Sequence, residues 1–361
     1  MLKNYNNWCV DIYRGIFIER FNDTHIRVAP CCQATSVIEP LETFDFANNH
    51  SLAVLRNKFD LGEKPDECHR CWYDEQLGQN SRRINISANQ LPDTTVELEN
   101  LTYHSTWACN LACIMCGPHN SSTWAKELNM SSTKLEQIGK KFNKSKKSLD
   151  TVDFSKLKRI HFNGGEPLLN NDHQIVLEKL NDINALNNVN LSYNTNGTQY
   201  PTDKTIELWK KAQRVLLCFS IDATETSFEY IRYPANWQST VDNLLRLKNT
   251  LPANVKFGFT ITVGCYNIFE IRNVLDWVKQ YFAGADVSLQ IAYNFDPMVL
   301  NVNAKNAAIE YLKDYKELNG IVNHLISTKK VTNNRWLIDL KKIDRRRNTN
   351  WKQVLKVAEF Y

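Results

Sequence analysis

The chain has 361 residues, 43% of them hydrophobic and 23% charged, with a formal net charge of +5. That balance describes an ordinary soluble globular protein with room for one large domain and a smaller one, and its mild charge permits an acidic partner without demanding nucleic acid. Met1 to Arg20 includes Asp11, Arg14, Glu19 and Arg20 and has no continuous apolar segment, and no later stretch is long enough to cross a membrane, so neither a signal peptide nor a spanning helix is expected.

The expected location is therefore cytoplasmic and reducing, where ten cysteines argue for metal or redox chemistry over disulfides. Five of them lie in the first segment, residues 1–92: Cys9, Cys31, Cys32, Cys68 and Cys71. The apolar stretch Ile12 to Ile18, the polar turn Asp23-Thr24-His25 and the run Ile26 to Cys32 read as a β-hairpin with thiols near both ends. Ser51 to Phe59 reads as a helix, and Cys68-His69-Arg70-Cys71 as a turn whose spacing suits either zinc or an iron–sulfur cluster. Cys9, one of Cys31 and Cys32, Cys68 and Cys71 would together complete a four-thiolate site; His69 reads as a solvent-facing turn residue. Ser81 to Asn100 is polar and reads as a connector.

From about residue 93 to 300, strands and helices alternate in the manner of parallel β/α units. The predicted strands are Leu101–Trp107, Arg159–Phe162, Asn190–Tyr193, Arg214–Ile221, Val255–Val263 and Asp286–Tyr293. Helix-length segments between them include Ile175–Leu186, Lys204–Lys211, Val241–Asn249 and Ile268–Gln280. Immediately after the first of these strands comes Cys109-Asn110-Leu111-Ala112-Cys113-Ile114-Met115-Cys116. Its thiols are close enough for one tight loop to reach three corners of a cubane cluster. An ordinary electron-transfer cluster takes four cysteines, so three imply an iron kept open for another ligand. The second strand runs into Asn163-Gly164-Gly165-Glu166-Pro167, the third into Asn194-Thr195-Asn196-Gly197, and the fourth into Ser220-Ile221-Asp222, with Ser220 and Asp222 on one face. The fifth leads to Val263-Gly264-Cys265, and the sixth brings Gln290, Tyr293, Asn294 and Asp296 near the same end. Cys265 is a candidate hydrogen-atom or proton donor, and Cys218 another; a small apolar filler is the blander reading of each. Residues 301–361 read as a helical extension with a basic run, Lys341-Lys342 and Arg345-Arg346-Arg347, near Trp336 and Trp351. A second basic run spans Lys140 to Lys147. Such runs are usually solvated, and contact with RNA or a leader peptide is the less favoured reading.

Taken in this order, the three-cysteine loop and the Gly-Gly-Glu-Pro edge resemble the radical SAM superfamily. The resemblance implies an α/β fold, a partial (β/α)6 TIM-like barrel with its chemistry at the strands' C-terminal ends. It implies a [4Fe-4S] cluster on Cys109, Cys113 and Cys116 whose open iron chelates S-adenosylmethionine. One electron, from a flavodoxin- or ferredoxin-type reductant, then cleaves that cofactor to a 5′-deoxyadenosyl radical, which abstracts hydrogen from substrate. Gly164, Gly165 and Glu166 would meet the methionyl amine, and Thr195, Asn196, Ser220 and Asp222 the ribose and carboxylate. Arg232 would pair that carboxylate, unless it is a surface arginine beside Tyr230 and Tyr233. Met115 stands where the family usually has an aromatic residue over adenine, and Val263 would belong to the adenine wall. The order hairpin, Pro-Cys-Cys, helix, Cys-x-x-Cys resembles the SPASM/twitch auxiliary-cluster modules of the same superfamily, which usually follow the barrel and here precede it. That likeness implies a second [4Fe-4S] cluster and favours oxidation or cross-linking of a peptide or protein. The alternatives are a radical SAM enzyme acting on RNA, a nucleoside or a small metabolite with structural zinc in the N-terminal segment, and a non-catalytic metal-binding protein.

Overall fold

A computed structural model describes residues 7–22, 24–76, 80–88, 90–139, 149, 152–327 and 334–361. The basic run Lys140 to Lys147 lies outside them. The chain forms two compact units: Met1–Trp107 with Met130–Tyr193 and Thr202–Val215, and Ala108–Asn129 with Asn194–Pro201 and Leu216–Tyr361. Of the segments read from the sequence, 1–92 lies in the first unit, 301–361 in the second, and 93–300 is divided between the two.

The fold is α/β, and the six expected strand–helix repeats follow one another along the chain as in a partial (β/α)6 barrel. Nine strands occur among the described residues: β1 (Gly15–Arg20), β2 (His25–Ala29), β3 (Val37–Pro40), β4 (Asn100–Thr106), β5 (Arg159–Gly164), β6 (Asn190–Thr195), β7 (Arg214–Ser220), β8 (Val255–Val263) and β9 (Asp286–Ile291). The last strand stops earlier than expected, because Tyr293–Phe295 turns into a 3₁₀ segment.

In the first unit the strand order is β3-β2-β1-β4-β5-β6. The thiol-bearing hairpin is present, but it does not stand alone: β1 pairs antiparallel with β2 and parallel with β4, in register Ile16↔Leu101 and Ile18↔Tyr103. The apolar run Ile12 to Ile18 is also not one strand. Val10–Arg14 is a short helix and the strand starts at Gly15, where a Cβ would stand 2.7 Å from Asp11 Oδ1. Behind β5 and β6, a layer of rings forms the core, with Phe162 stacked on Tyr193 at 4.7 Å and Trp209 edge-on to Tyr193 at 5.2 Å. The expected helix Ser51–Phe59 runs from His50 to Asp60, and it buries Leu52, Leu55 and Phe59. Part of the expected connector is also helical, Arg82–Ser87, capped by Ser81, whose Oγ accepts from Ile84 N at 3.2 Å.

In the second unit the order is β7-β8-β9, with β8 and β9 parallel. The helix Ile271–Tyr281 buries Ile271, Val274, Leu275 and Val278, the i, i+3, i+4, i+7 stripe of an amphipathic helix. The C-terminal extension is helical as expected, over Val302–Leu312, Asn319–Ser327, Arg335–Arg347 and Trp351–Val354. No helix among the described residues is long and apolar enough to cross a membrane.

Candidate active site and a second cysteine cavity

In the second unit, the three-cysteine loop is held by its own backbone partners. Ser122 Oγ accepts from Cys109 N and donates to Cys109 O, both at 3.1 Å, and Thr123 Oγ1 donates to the same carbonyl at 2.6 Å. Ser121 Oγ donates to Leu111 O at 2.5 Å while accepting from Trp124 N at 3.2 Å, so one hydroxyl fixes the loop and caps the helix Ser122–Glu127. Arg347 Nη2 donates to Ala112 O at 2.6 Å, and Trp124 Nε1 donates to Cys113 O at 2.8 Å. The opposite edge is tied by Ala112 N to Tyr233 O at 2.6 Å and by Ile114 N to Ile231 O at 2.9 Å. In this way the carbonyls of Cys109, Leu111, Ala112 and Cys113 are all engaged by the protein's own donors. Burial pushes the Cys113 thiol up, against the opposing charge of Arg232, and pushes Cys116 up to about 12. A cluster that takes them as thiolates displaces those protons.

Of this unit's strand-end residues, Asn196 bonds the loop directly and Asp222 reaches it through Arg232. Asn196, after β6, donates from Nδ2 to Asn110 Oδ1 at 2.9 Å, and Asn110 Nδ2 donates to Thr198 Oγ1 at 2.8 Å. Thr195 is buried, its Oγ1 accepting from Gly197 N at 3.2 Å. Asp222 is fully buried; its Oδ1 accepts from Thr262 N at 2.7 Å, and its Oδ2 pairs with Arg232 Nη2 at 2.6 Å. Burial pushes the Asp222 carboxyl up, while the Arg232 guanidinium pulls it down. The surface reading of Arg232 is wrong: the side chain is buried, and its Nη1 lies 3.8 Å from Cys113 Sγ. Ser220 and Met115 are half-buried. Val263 is fully buried, its carbonyl accepting from Ala292 N at 2.8 Å. Cys265 is fully buried as well, with its N–H on Phe295 O at 2.7 Å and its thiol pushed up by that burial. Cys218 is half-buried, also raised, to about 11. Tyr293 is 87% exposed, whereas Asp296 accepts from His324 Nε2 at 2.7 Å and from Met298 N at 2.8 Å.

The Gly-Gly-Glu-Pro edge belongs to the first unit, at the end of β5. Gly164 has φ +117°, and a Cβ there would lie 2.4 Å from Thr106 O. Gly165 N donates to that carbonyl at 2.7 Å. The glycine requirement is therefore met already by packing on β4. Glu166 is fully buried, and its Oε1 accepts from Leu168 N at 3.0 Å.

The same unit brings the N-terminal thiols together. Cys9, Cys31, Cys68 and Cys71 line one cavity, with Asp11, Arg82 and Arg83 among its other walls. Cys32 is not in that lining and is exposed. Arg82 pairs with Asp11 at 2.9 Å, and Arg83 with Glu75 at 2.7 Å. Burial raises Cys9 strongly and pushes Cys31 and Cys68 up to about 12. Trp8, Phe59 and Trp72 pack with Cys9 and Cys68 in the adjoining apolar core. His69 is exposed, as expected, but the predicted turn is helical: a 3₁₀ segment Asp66–Cys68 leads into the helix His69–Gln76, and His69 Nδ1 lies 3.2 Å from Asp66 O. Among the described residues, no three His, Cys, Asp or Glu side chains converge in a way that holds a single metal ion.

The sequence reading missed Arg347 and Trp124. Both belong to the clamp on the loop, and the basic run that contains Arg347 was read as solvated. Arg346 and Arg347 instead pair with Glu127 at 3.1 and 3.0 Å. Trp336 and Trp351, offered as possible partners for a nucleic acid, are buried and packed against each other at 5.8 Å.

No curated protein matches the chain. Among solved structures, it is similar to native anSMEcpe with bound AdoMet, at 16% identity and a TM-score of 0.41, over 65% of this chain and 63% of that one. It is also similar to Streptococcus suis SuiB bound to S-adenosylmethionine, at 12% identity and a TM-score of 0.38, over 84% and 70%. A third structure, SuiB bound to precursor peptide SuiA, matches at 11% identity and a TM-score of 0.38, over 86% and 70%. The chain thus spans a little under two thirds of the length of anSMEcpe. Residues 103–278, which contain the three-cysteine loop and the Gly-Gly-Glu-Pro edge, match the model of the Radical SAM superfamily.

Proposed function

We propose that the protein is a radical SAM enzyme with two iron–sulfur sites, one catalytic and one auxiliary, that oxidises or cross-links a peptide or protein. The observation that carries the catalytic part is the clamped loop: Cys109, Cys113 and Cys116 are its only strong metal donors, and its carbonyls are already taken by Ser121, Ser122, Thr123, Trp124 and Arg347. Three thiols suit a cubane with one iron left open, and a cation beside Cys113 suits the negative charge of such a cluster. Bound there, the cluster and S-adenosylmethionine supply the electron transfer and the radical chemistry.

The protein's own residues do the positioning. Asp222 holds Arg232 beside Cys113, Asn196 braces Asn110, and the backbone segment Ile231 to Tyr233 closes the loop's edge. Gly164, Gly165 and Glu166 are proposed to hold the methionyl amine, with Thr195, Asn196 and Ser220 on the ribose, Arg232 on the carboxylate, and Met115 and Val263 near adenine.

The auxiliary part rests on the cavity. The four thiols line one common cavity, as a shared metal site requires, and the likeness of the segment to SPASM/twitch modules favours a cluster over zinc. Cys31 is the preferred fourth ligand, since Cys32 lies outside the lining. The choice of a peptide substrate rests on the likeness of this segment to SPASM/twitch modules. The basic C-terminal run lends the RNA alternative no support, since Arg346 and Arg347 are engaged with Glu127.

Reconstituting the protein anaerobically and adding dithionite and S-adenosylmethionine tests the enzyme reading. Formation of 5′-deoxyadenosine supports it; none from a reduced, cluster-loaded protein overturns it.

A further inference from the structure

We propose that Arg347 is a positioning residue of the catalytic loop that also sets the reduction potential of the cluster bound there. This rests on the reading of Cys109–Cys116 as the cluster loop. Arg347 ends the helix Arg335–Arg347. Arginines are common in the last turn of a helix, where they face the negative end of its dipole, and they are normally exposed. Arg347 is not: its side chain is 2% exposed. Its guanidinium lies 4.8 Å from the Trp124 ring and 4.6 Å from the Tyr233 ring. It donates to Ala112 O at 2.6 Å and pairs with Glu127 at 3.0 Å. Its Nη1 is buried and has no partner among the described residues.

The helix is docked where this requires. Asp344, one turn earlier, accepts from Tyr230 Oη at 3.0 Å, from Thr349 Oγ1 at 2.8 Å and from Trp351 N at 3.1 Å. Glu127 does not neutralise the region, because Arg346 shares its carboxylate at 3.1 Å. Two guanidinium groups on one carboxylate leave a net positive charge; the Arg347 group is buried next to the peptide that leads into Cys113, while Arg346 is 33% exposed. In such a low-dielectric position a fixed charge acts strongly on a nearby anion. Reduction adds an electron to an already negative cluster, so the buried charge makes reduction easier. The geometry also gives Trp124 two tasks, since it covers the guanidinium and donates to Cys113 O at 2.8 Å.

The test is an anaerobic redox titration of the reconstituted full chain, following the EPR signal that changes when S-adenosylmethionine is added, alongside an iron count. Arg347→Lys keeps the charge, while Arg347→Gln keeps a donor to Ala112 O and loses the charge. The expected result is retained iron in both, an unchanged midpoint in Arg347→Lys, and a lower midpoint in Arg347→Gln. The drop should correspond to about a tenfold change in the reduced-to-oxidised ratio, or ~59 mV for one electron. Glu127→Gln should move the midpoint the other way, because it removes the negative member of the group. Retained iron with an unchanged midpoint in Arg347→Gln overturns the proposal. If the Arg347 variants lose iron, Glu127→Gln decides, and an unchanged or lower midpoint there overturns it. Failure of the wild type to bind iron at Cys109, Cys113 and Cys116 would instead refute the underlying cluster reading.

Discussion

Cys109, Cys113 and Cys116 sit within one loop whose backbone is fixed by hydroxyls, an indole and a guanidinium. Cys9, Cys31, Cys68 and Cys71 come from separate parts of the N-terminal segment: the start of the helix Val10–Arg14, the end of the hairpin, and the turn and helix Asp66–Gln76. They meet only because the hairpin pairs with β4 and the helix His50–Asp60 packs beside them. The difference is one of range. The loop's thiols are neighbours in sequence and Ser121, Ser122, Thr123 and Trp124 bond it locally, with Ile231, Tyr233 and Arg347 added from afar, whereas the cavity exists only when the tertiary fold around it does. Metal binding should therefore be coupled to folding much more tightly at the cavity than at the loop.

The largest effects come from removing thiols. Cys113→Ala should abolish 5′-deoxyadenosine formation and lose about four irons per chain while the unfolding temperature barely moves, as measured by iron assay and calorimetry. Cys31→Ala should also lose about four irons, but with a clear fall in unfolding temperature, and Cys32→Ala should lose none. Equal losses from Cys31→Ala and Cys32→Ala would break the assignment of the cavity's fourth ligand.

Acid sharpens the same comparison. Burial lowers His161 and His173 to about 4, and both belong to the unit that holds the cavity. A histidine kept neutral in the fold binds its proton more readily when unfolded. Stability is therefore full above the unfolded value, near 6.5, and is lost as pH falls from there toward about 4. For His173, 2% exposed, the loss approaches roughly 3 kcal/mol across that window. Hydrogen exchange at pH 5 should open the first unit before the second, and His173→Gln should reduce that bias. Uniform opening of both units would contradict the account.

The smallest effect expected is at the loop's clamp. Ser121→Ala removes a helix cap and a buried bond to Leu111 O, and should cost about 1–2 kcal/mol by thermal unfolding while leaving iron content intact. Loss of the cluster in that variant would show that the loop is less self-sufficient than its bonds indicate.

Most of the strand–helix alternation was legible in the sequence, because β8 and the amphipathic helices carry their periods openly; β8 runs from Val255 to Val263, the span expected. The three-cysteine loop was legible for the same reason, its ligands being close in sequence. What could not be read was pairing at long range. Nothing in Gly15 to Arg20 announces a parallel partner at Asn100 to Thr106, and no local pattern separates Cys31 from Cys32. Arg232 and Arg347 look alike in sequence as arginines beside aromatics. Burial, set by elements more than a hundred residues away, places one beside Cys113 and the other on Ala112. Asp222 was legible as a strand-end acid, but the tertiary structure was needed to see it paired with Arg232.

The account's central claim is that two cluster sites of different construction exist in one chain. Counting iron and zinc after anaerobic reconstitution, in the wild type and in a Cys68→Ala/Cys71→Ala variant, tests it directly. The account predicts about eight irons falling to about four, with 5′-deoxyadenosine still formed by the variant. About four irons and one zinc in the wild type would contradict it.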